Sequence, residues 1–225
     1  MRKHYMLAFF VILLVSMVSS KAEIVCKSEV VIENGILVDY PDTKTDVSYW
    51  IPEGVTKTMA TIFYNEYVVE LYFPSSCTTI VTASCFESAL QRVNVDENNE
   101  SYASIDGILY SKDLATIEYC PPAYPKELFL IPSTTTRIQA ECFANNHTIR
   151  YLIIPEQVFE IDGFAFEASS LQQIVICGMD TTFTMDAFNF CPNLTAIWIH
   201  PGSNADIILN TDTDYIDLRE YICYW

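Results

Sequence analysis

Five segments of this chain begin alike, end on phenylalanine and are almost evenly spaced, and that repetition restricts the fold more than any other feature. They are IPEGVTKTMATIF from Ile51, FPSSCTTIVTASCF from Phe73, IPSTTTRIQAECF from Ile131, IPEQVFEIDGFAF from Ile154 and ICGMDTTFTMDAF from Ile176. Successive starts lie 22 or 23 residues apart, except for a step of 58 between Phe73 and Ile131, which holds an insertion or an elongated unit. A unit this short cannot bury its own apolar face, so neighbouring units must stack and share one core. Stacking accounts for the ladder Phe63, Phe86, Phe143, Phe166 and Phe188, each ring contributing roughly 1.5 to 3 kcal/mol when buried. The residue just before the ring is small, Cys85, Cys142, Ala165 or Ala187, because a larger one would push the turns apart.

Between the segments run short apolar triplets: Leu71 to Phe73, Val93 to Val95, Phe129 to Ile131, Leu152 to Ile154, Ile174 to Ile176 and Ile197 to Ile199. Alternation along a strand buries the outer pair of each triplet and turns the middle residue outward. The expectation is a β-rich solenoid with one parallel sheet of short strands, a hairpin insertion and irregular end caps. Asp106-Gly107 between alternating apolar residues predicts a hairpin in the insertion, and Asn34-Gly35 between Val30 and Val38 predicts a second near the N-terminal end.

The pattern I-P-x-x-V-x-x-I-x-x-x-A-F, followed by an I-x-I strand, resembles the BspA-like leucine-rich repeat, and the Ser104 to Asp113 stretch is similar to a hairpin that recurs in that family. Thr58, Ile62, Thr135 and Phe183 depart from the pattern, which predicts irregular first and last turns. The resulting division is a leader over 1–22, an N-terminal cap with a hairpin over 23–50, repeats over 51–200 with the insertion at about 96–127, and a C-terminal cap over 201–225. The resemblance implies a surface antigen or adhesin. Its partner is then an extracellular protein or matrix component, and a structural, self-assembling repeat protein is the alternative.

Export is also expected from the first residues. Arg2, Lys3 and His4 precede an uncharged apolar run from Met6 to Val18, and Ser20 and Ala22 are the small residues before a cut at Glu23. That run is too short to span a bilayer, and no second one follows it. Without Arg2, Lys3 and Lys21, nine basic residues face 29 acidic ones, a formal charge of −20. Such a chain lacks the clustered cations that a nucleic-acid partner demands. In an exported chain the eight cysteines favour disulfides, with Cys26 and Cys223 placed in the two caps, although Cys85 and Cys142 also suit packed thiols. No cysteine belongs to a C-x-x-C pair.

Catalysis, a metal site and a cofactor all lack sequence support. His147 and His200 lie in separate units, no nucleophile or phosphate-loop motif surrounds any residue, and the carboxylates are dispersed. Of three N-x-S/T sequons, Asn99 and Asn193 are expected to carry glycans, whereas Asn146 aligns with Ser169 and Cys191 at a position that turns inward. The candidate binding surface is the outward column Tyr72, Asn94, Leu130, Ile153, Val175 and Trp198, with Arg92, Leu128 and Tyr151 beside it. An exposed apolar stripe of this kind marks an interaction surface.

Overall fold

The computed structural model describes residues 29–82, 88–184 and 186–225. The proposed leader, Cys26, Cys85 and Phe86 lie outside the described residues. The turns of the solenoid contribute strands of three or four residues to a first column and of two to four residues to a second column. The first column comprises β3 (Ser48–Trp50), β5 (Glu70–Phe73), β7 (Arg92–Val95), β11 (Leu128–Leu130), β13 (Tyr151–Ile154), β15 (Gln173–Ile176), β17 (Ala196–Ile199) and β18 (Ile222–Tyr224). The second comprises β2 (Ile36–Asp39), β4 (Lys57–Thr58), β6 (Thr79–Ile80), β10 (Thr116–Tyr119), β12 (Arg137–Ile138), β14 (Glu160–Ile161) and β16 (Thr182–Phe183). All neighbours that pair within a column run parallel, and β1 (Val31–Glu33) closes a hairpin on β2 through Asn34 and Gly35, both at positive φ.

A third edge of the solenoid is made of turns rather than strands. Two non-glycine residues four apart adopt left-handed backbone in each of three turns after the insertion: Glu141 and Asn145, Phe164 and Ala168, Asp186 and Phe190. Such conformations cost free energy and persist when the surroundings over-determine them. Here the determinant is a ladder of hydrogen bonds to the next turn: Phe143 N–H donates to Ala165 O at 2.7 Å, Asn145 N–H to Glu167 O at 2.8 Å, and Phe166 N–H to Ala187 O at 2.9 Å. The bonds bring the phenylalanines into a stack, with ring centroids 5.6 Å apart for Phe143 and Phe166 and 5.2 Å for Phe166 and Phe188. In the first turn, where Ile62 replaces the small residue, residues Ala60–Tyr64 instead form a 3-10 helix.

A second ladder holds loops that lead into strands. Asn65, Asn99 and Asn146 are all buried, and each donates from Nδ2 to a carbonyl of the preceding turn while Oδ1 accepts two backbone N–H groups that follow it. Ser88, Ser169 and Cys191 fill the same inward position elsewhere, with Ser88 Oγ accepting from Leu90 N–H and Cys191 Sγ donating to Phe166 O. This corrects the expected glycan at Asn99: its amide is wholly inaccessible and both of its ends are committed to the backbone.

The elongated turn divides the molecule. After β7 the chain forms the hairpin β8 (Tyr102–Ile105) and β9 (Ile108–Ser111), and β9 then pairs antiparallel with β10. The expected single sheet is therefore interrupted once, giving first-column sheets β3-β5-β7 and β11-β13-β15-β17-β18. The hairpin tip sits beside β7, where Gly107 O accepts from Val93 N–H at 2.8 Å. Gly107 has φ +86°, and a Cβ there would lie 2.8 Å from Arg92 Cγ. Both the turn and the close approach require glycine.

The apolar interior is split at the same place. Ile108, Tyr110 and Ile117 join the core built on Phe143, Phe166 and Phe188, whereas Leu109 and Tyr119 join the core built on Phe63, Leu71 and Val93. Alternate side chains of β9 thus enter different cores, and Ile108, Leu109 and Tyr110 are all buried. At the far end, helix α1 (Asn204–Thr211) is capped by Ser203 Oγ, which accepts from Asp206 N–H, and lays Ala205 and Leu209 on the second core. Tyr215 lies on Phe188 and donates its hydroxyl to Thr184 O at 2.6 Å.

Candidate interaction face

Strand pairing determines which outward residues are neighbours. In the second sheet Leu130, Ile153, Val175 and Trp198 are directly in register, and Leu128 aligns with Tyr151 and Gln173. Leu128 is 49% exposed, Leu130 58% and Tyr151 39%, while Ile153, Val175 and Trp198 are half-buried among their neighbours. These six apolar side chains make one patch. Its core-facing counterparts Leu152, Ile154, Ile174, Ile176, Ile197 and Ile199 are buried, so the strands are apolar on both faces, and among the described residues no second layer covers the outer one. The C-terminal segment does not cover it: β18 extends the sheet edgewise beside β17 and places Cys223 next to Trp198.

The other three sequence-predicted residues, Tyr72, Arg92 and Asn94, belong to the first sheet and are separated from that patch by the hairpin. Their column begins with Trp50, which the sequence reading missed. Trp50 pairs with Tyr72, which pairs with Asn94, and the indole and phenol rings stack 4.4 Å apart at 9°. Placing Trp50 before Ile51 in the same frame as Tyr72 before Phe73 identifies it as an outward residue. Tyr72 donates to Glu70 Oε2 at 2.6 Å, and that hydrogen bond to a carboxylate is the main cause raising its phenol above the ordinary range. Arg92 Nε lies 3.9 Å from Glu70 on the same surface.

Charged residues rim the break between the sheets. Lys126 reaches Asp106 at the hairpin tip at 3.0 Å, and Arg150 reaches Glu127 at 3.7 Å, both as exposed pairs of small energetic weight. On the second column Arg137 donates to Asp162 Oδ2 from Nε at 3.0 Å and from Nη2 at 2.7 Å, which is the first cause raising its guanidinium. Arg150–Glu127 and Arg137–Asp162 each link adjacent turns.

The remaining candidates stand apart from the face. His147 is exposed in a loop, and His200 lies against the Trp225 ring with centroids 3.9 Å apart. Among the described residues no three His, Cys, Asp or Glu side chains converge as metal ligands. The disulfides expected from the even cysteine count are not formed among the described residues: Cys77, Cys120, Cys142, Cys177, Cys191 and Cys223 are free thiols. Burial raises the Cys77 thiol to about 11 and those of Cys120 and Cys142 well above their ordinary value, as in thiols that fill core space. Asn193, in the loop after Pro192, is exposed.

The model of the BspA type leucine-rich repeat region matches residues 45–120 and 126–211, in six copies. Among solved structures, a leucine-rich repeat protein from Eubacterium ventriosum is similar over 72% of this chain and 52% of its own, with TM-score 0.57 and 22% identity. The pneumococcal vaccine antigen PcpA is similar over 67% of this chain and 44% of its own, with TM-score 0.52 and 22% identity. The chain thus spans about half the length of these solved structures. A search of curated protein sequences finds no match. With the family model covering most of the chain and the stacked turns of that repeat seen in the fold, the chain belongs to the BspA-type leucine-rich repeat family.

Proposed function

We propose that this protein is an exported, non-catalytic binding module whose second sheet recognises an extracellular protein or matrix component. The observation that carries the reading is the contiguous apolar patch around Leu128, Leu130, Tyr151 and Ile153, exposed on a sheet face that no other described element covers. A monomeric soluble domain rarely leaves such a surface without a use, and aromatic and aliphatic anchors of this kind dominate the energy of protein interfaces. The basic and apolar N-terminal run supports export, and the family's repeat together with a structural neighbour described as a vaccine antigen supports a surface setting. Among the described residues no helix is long and apolar enough to cross a membrane.

The test is binding of the full chain to host-cell surfaces and to immobilised matrix proteins, with Leu130→Asp and Tyr151→Ala beside the parent. Both positions are exposed, so both variants should keep the parent circular dichroism and lose most of the binding. Undiminished binding by folded Leu130→Asp would remove this face from the site. Expression in a eukaryotic secretory host followed by intact-mass analysis tests Asn193 as a glycan position. The expected product carries a glycan that Asn193→Gln abolishes, and none at Asn99.

A further inference from the structure

The first sheet offers a different chemistry from the second. Its outward column is Trp50, Tyr72 and Asn94, and a groove runs from these residues over Glu53 and Asp96 at the carboxyl ends of the strands. Trp50 is 62% exposed although it stacks on Tyr72, so its other ring face is open. The polar groups along the groove are mostly acceptors. The Tyr72 hydroxyl proton is committed to Glu70 and one Asn94 Nδ2 hydrogen to Leu71 O at 3.3 Å, which leaves the phenol oxygen and the Asn94 Oδ1 as acceptors beside a single remaining amide N–H. The two carboxylates accept hydrogen bonds of their own, Glu53 from Ser75 Oγ and Asp96 from Asn98 N–H, each with acceptor capacity to spare.

A surface of stacked aromatic rings and unspent acceptors, on a chain of formal charge −17, calls for a planar, donor-rich cation. The arginine side chain has those properties: its guanidinium lies flat on aromatic faces and carries five N–H donors, whereas a lysine ammonium matches the charge but not the plane. A glycan brings acceptors as well as donors and finds few donors along this groove. We propose that the Trp50–Tyr72–Asn94 groove binds an arginine side chain presented by a basic partner segment. The site is independent of the apolar patch, from which the hairpin separates it.

The experiment titrates the full chain into two fluorescein-labelled peptides of alternating glycine and arginine or glycine and lysine, at low ionic strength, by anisotropy. The arginine peptide is expected to bind roughly five- to tenfold more tightly than the lysine peptide. Trp50→Ala should erase that preference, a Glu53→Gln/Asp96→Asn double variant should weaken binding of both peptides, and Leu130→Asp should change neither. All of these positions are exposed or partly exposed, and circular dichroism checks that each variant is folded. Equal binding of the two peptides, or an arginine preference that survives Trp50→Ala, would show general attraction to an acidic surface and overturn the proposal. So would Trp50-dependent binding of a neutral oligosaccharide by a chain that ignores the arginine peptide.

Discussion

The two halves of this solenoid use the same repeat and arrive at different interiors and different faces. After the hairpin, Phe143, Phe166 and Phe188 stack with interplanar angles of 27° and 21°, and the turns that carry them are hydrogen-bonded in series. Before it, Phe63 meets Tyr119 edge-on at 5.1 Å, and the first turn is a 3-10 helix. The outer surfaces diverge likewise, into an apolar, mostly aliphatic patch on the second sheet and an aromatic, acidic groove on the first. The comparison shows that the repeat specifies the inward residues, while the turn before the ring and the chemistry of the outward column vary from one half to the other.

Removing a ring from the regular half should have the largest effect. Phe166→Ala deletes a fully buried ring with a neighbour on each side and is expected to cost about 3 to 5 kcal/mol in urea unfolding. The loss should fall on amides of the second core in hydrogen exchange; equal loss of protection in both halves would break the division into two cores. Asn146→Ala should cost about 1 to 3 kcal/mol, because it strands Pro121 O and the Ile149 N–H in a buried loop. Asn146→Asp should not rescue it, since the position needs a donor towards Pro121 as well as an acceptor. Gly107→Ala combines a left-handed φ with a clash against Arg92 and is expected to cost about 1 to 2 kcal/mol. If it acts at the seam, its urea curve should broaden as the halves begin to unfold separately, and a curve merely shifted in midpoint would argue that they remain one cooperative unit.

The smallest effects sharpen the comparison from inside each core. Thr135 stands where other repeats have Val55 or Val158, and its hydroxyl is buried without a hydrogen-bond partner. Thr135→Val should therefore stabilise the chain by about 1 kcal/mol in thermal unfolding, and a loss of stability would show that the hydroxyl is used. In the first core Cys77 holds its proton up to a pH of about 11, against an ordinary value of 9.0. Its unfolded form releases the proton first, so this contribution is complete below pH 9 and declines as pH rises from 9 towards 11. Cys77→Ala should flatten that decline in a pH series of unfolding midpoints.

Much of the architecture was legible because it is local. The phenylalanine spacing placed the core residues, the triplets placed the strands and their outward members, and Asp106-Gly107 and Asn34-Gly35 marked two hairpins that both form. What escaped depends on tertiary placement. Nothing in the sequence of Ile108, Leu109 and Tyr110 states that adjacent side chains enter different cores, or that the hairpin tip takes the place beside β7 and parts the sheet. Asn99 was misread because N-x-S is also the spelling of a buried asparagine whose Oδ1 accepts from the N–H two residues on. The equivalence of Asn65 and Asn146 with Ser88, Ser169 and Cys191 was readable, but Asn99 falls outside that spacing, within the elongated turn. Trp50 was overlooked because its strand precedes the first proline-containing segment. The six described cysteines are free thiols for another reason: Cys77 and Cys142 occupy inward positions that other repeats give to valine and alanine.

Strand β9 also has a mechanical meaning. A solenoid drawn out by its two ends sheds one turn after another, each rupture breaking one rung of backbone hydrogen bonds and freeing a short, nearly constant length of chain. At β9 that sequence meets a knot of a different kind, since Ile108 and Leu109 must be withdrawn from two interiors together with the antiparallel bonds to β8 and β10. A force–extension trace should then show small regular steps interrupted by one stronger event that releases a longer segment.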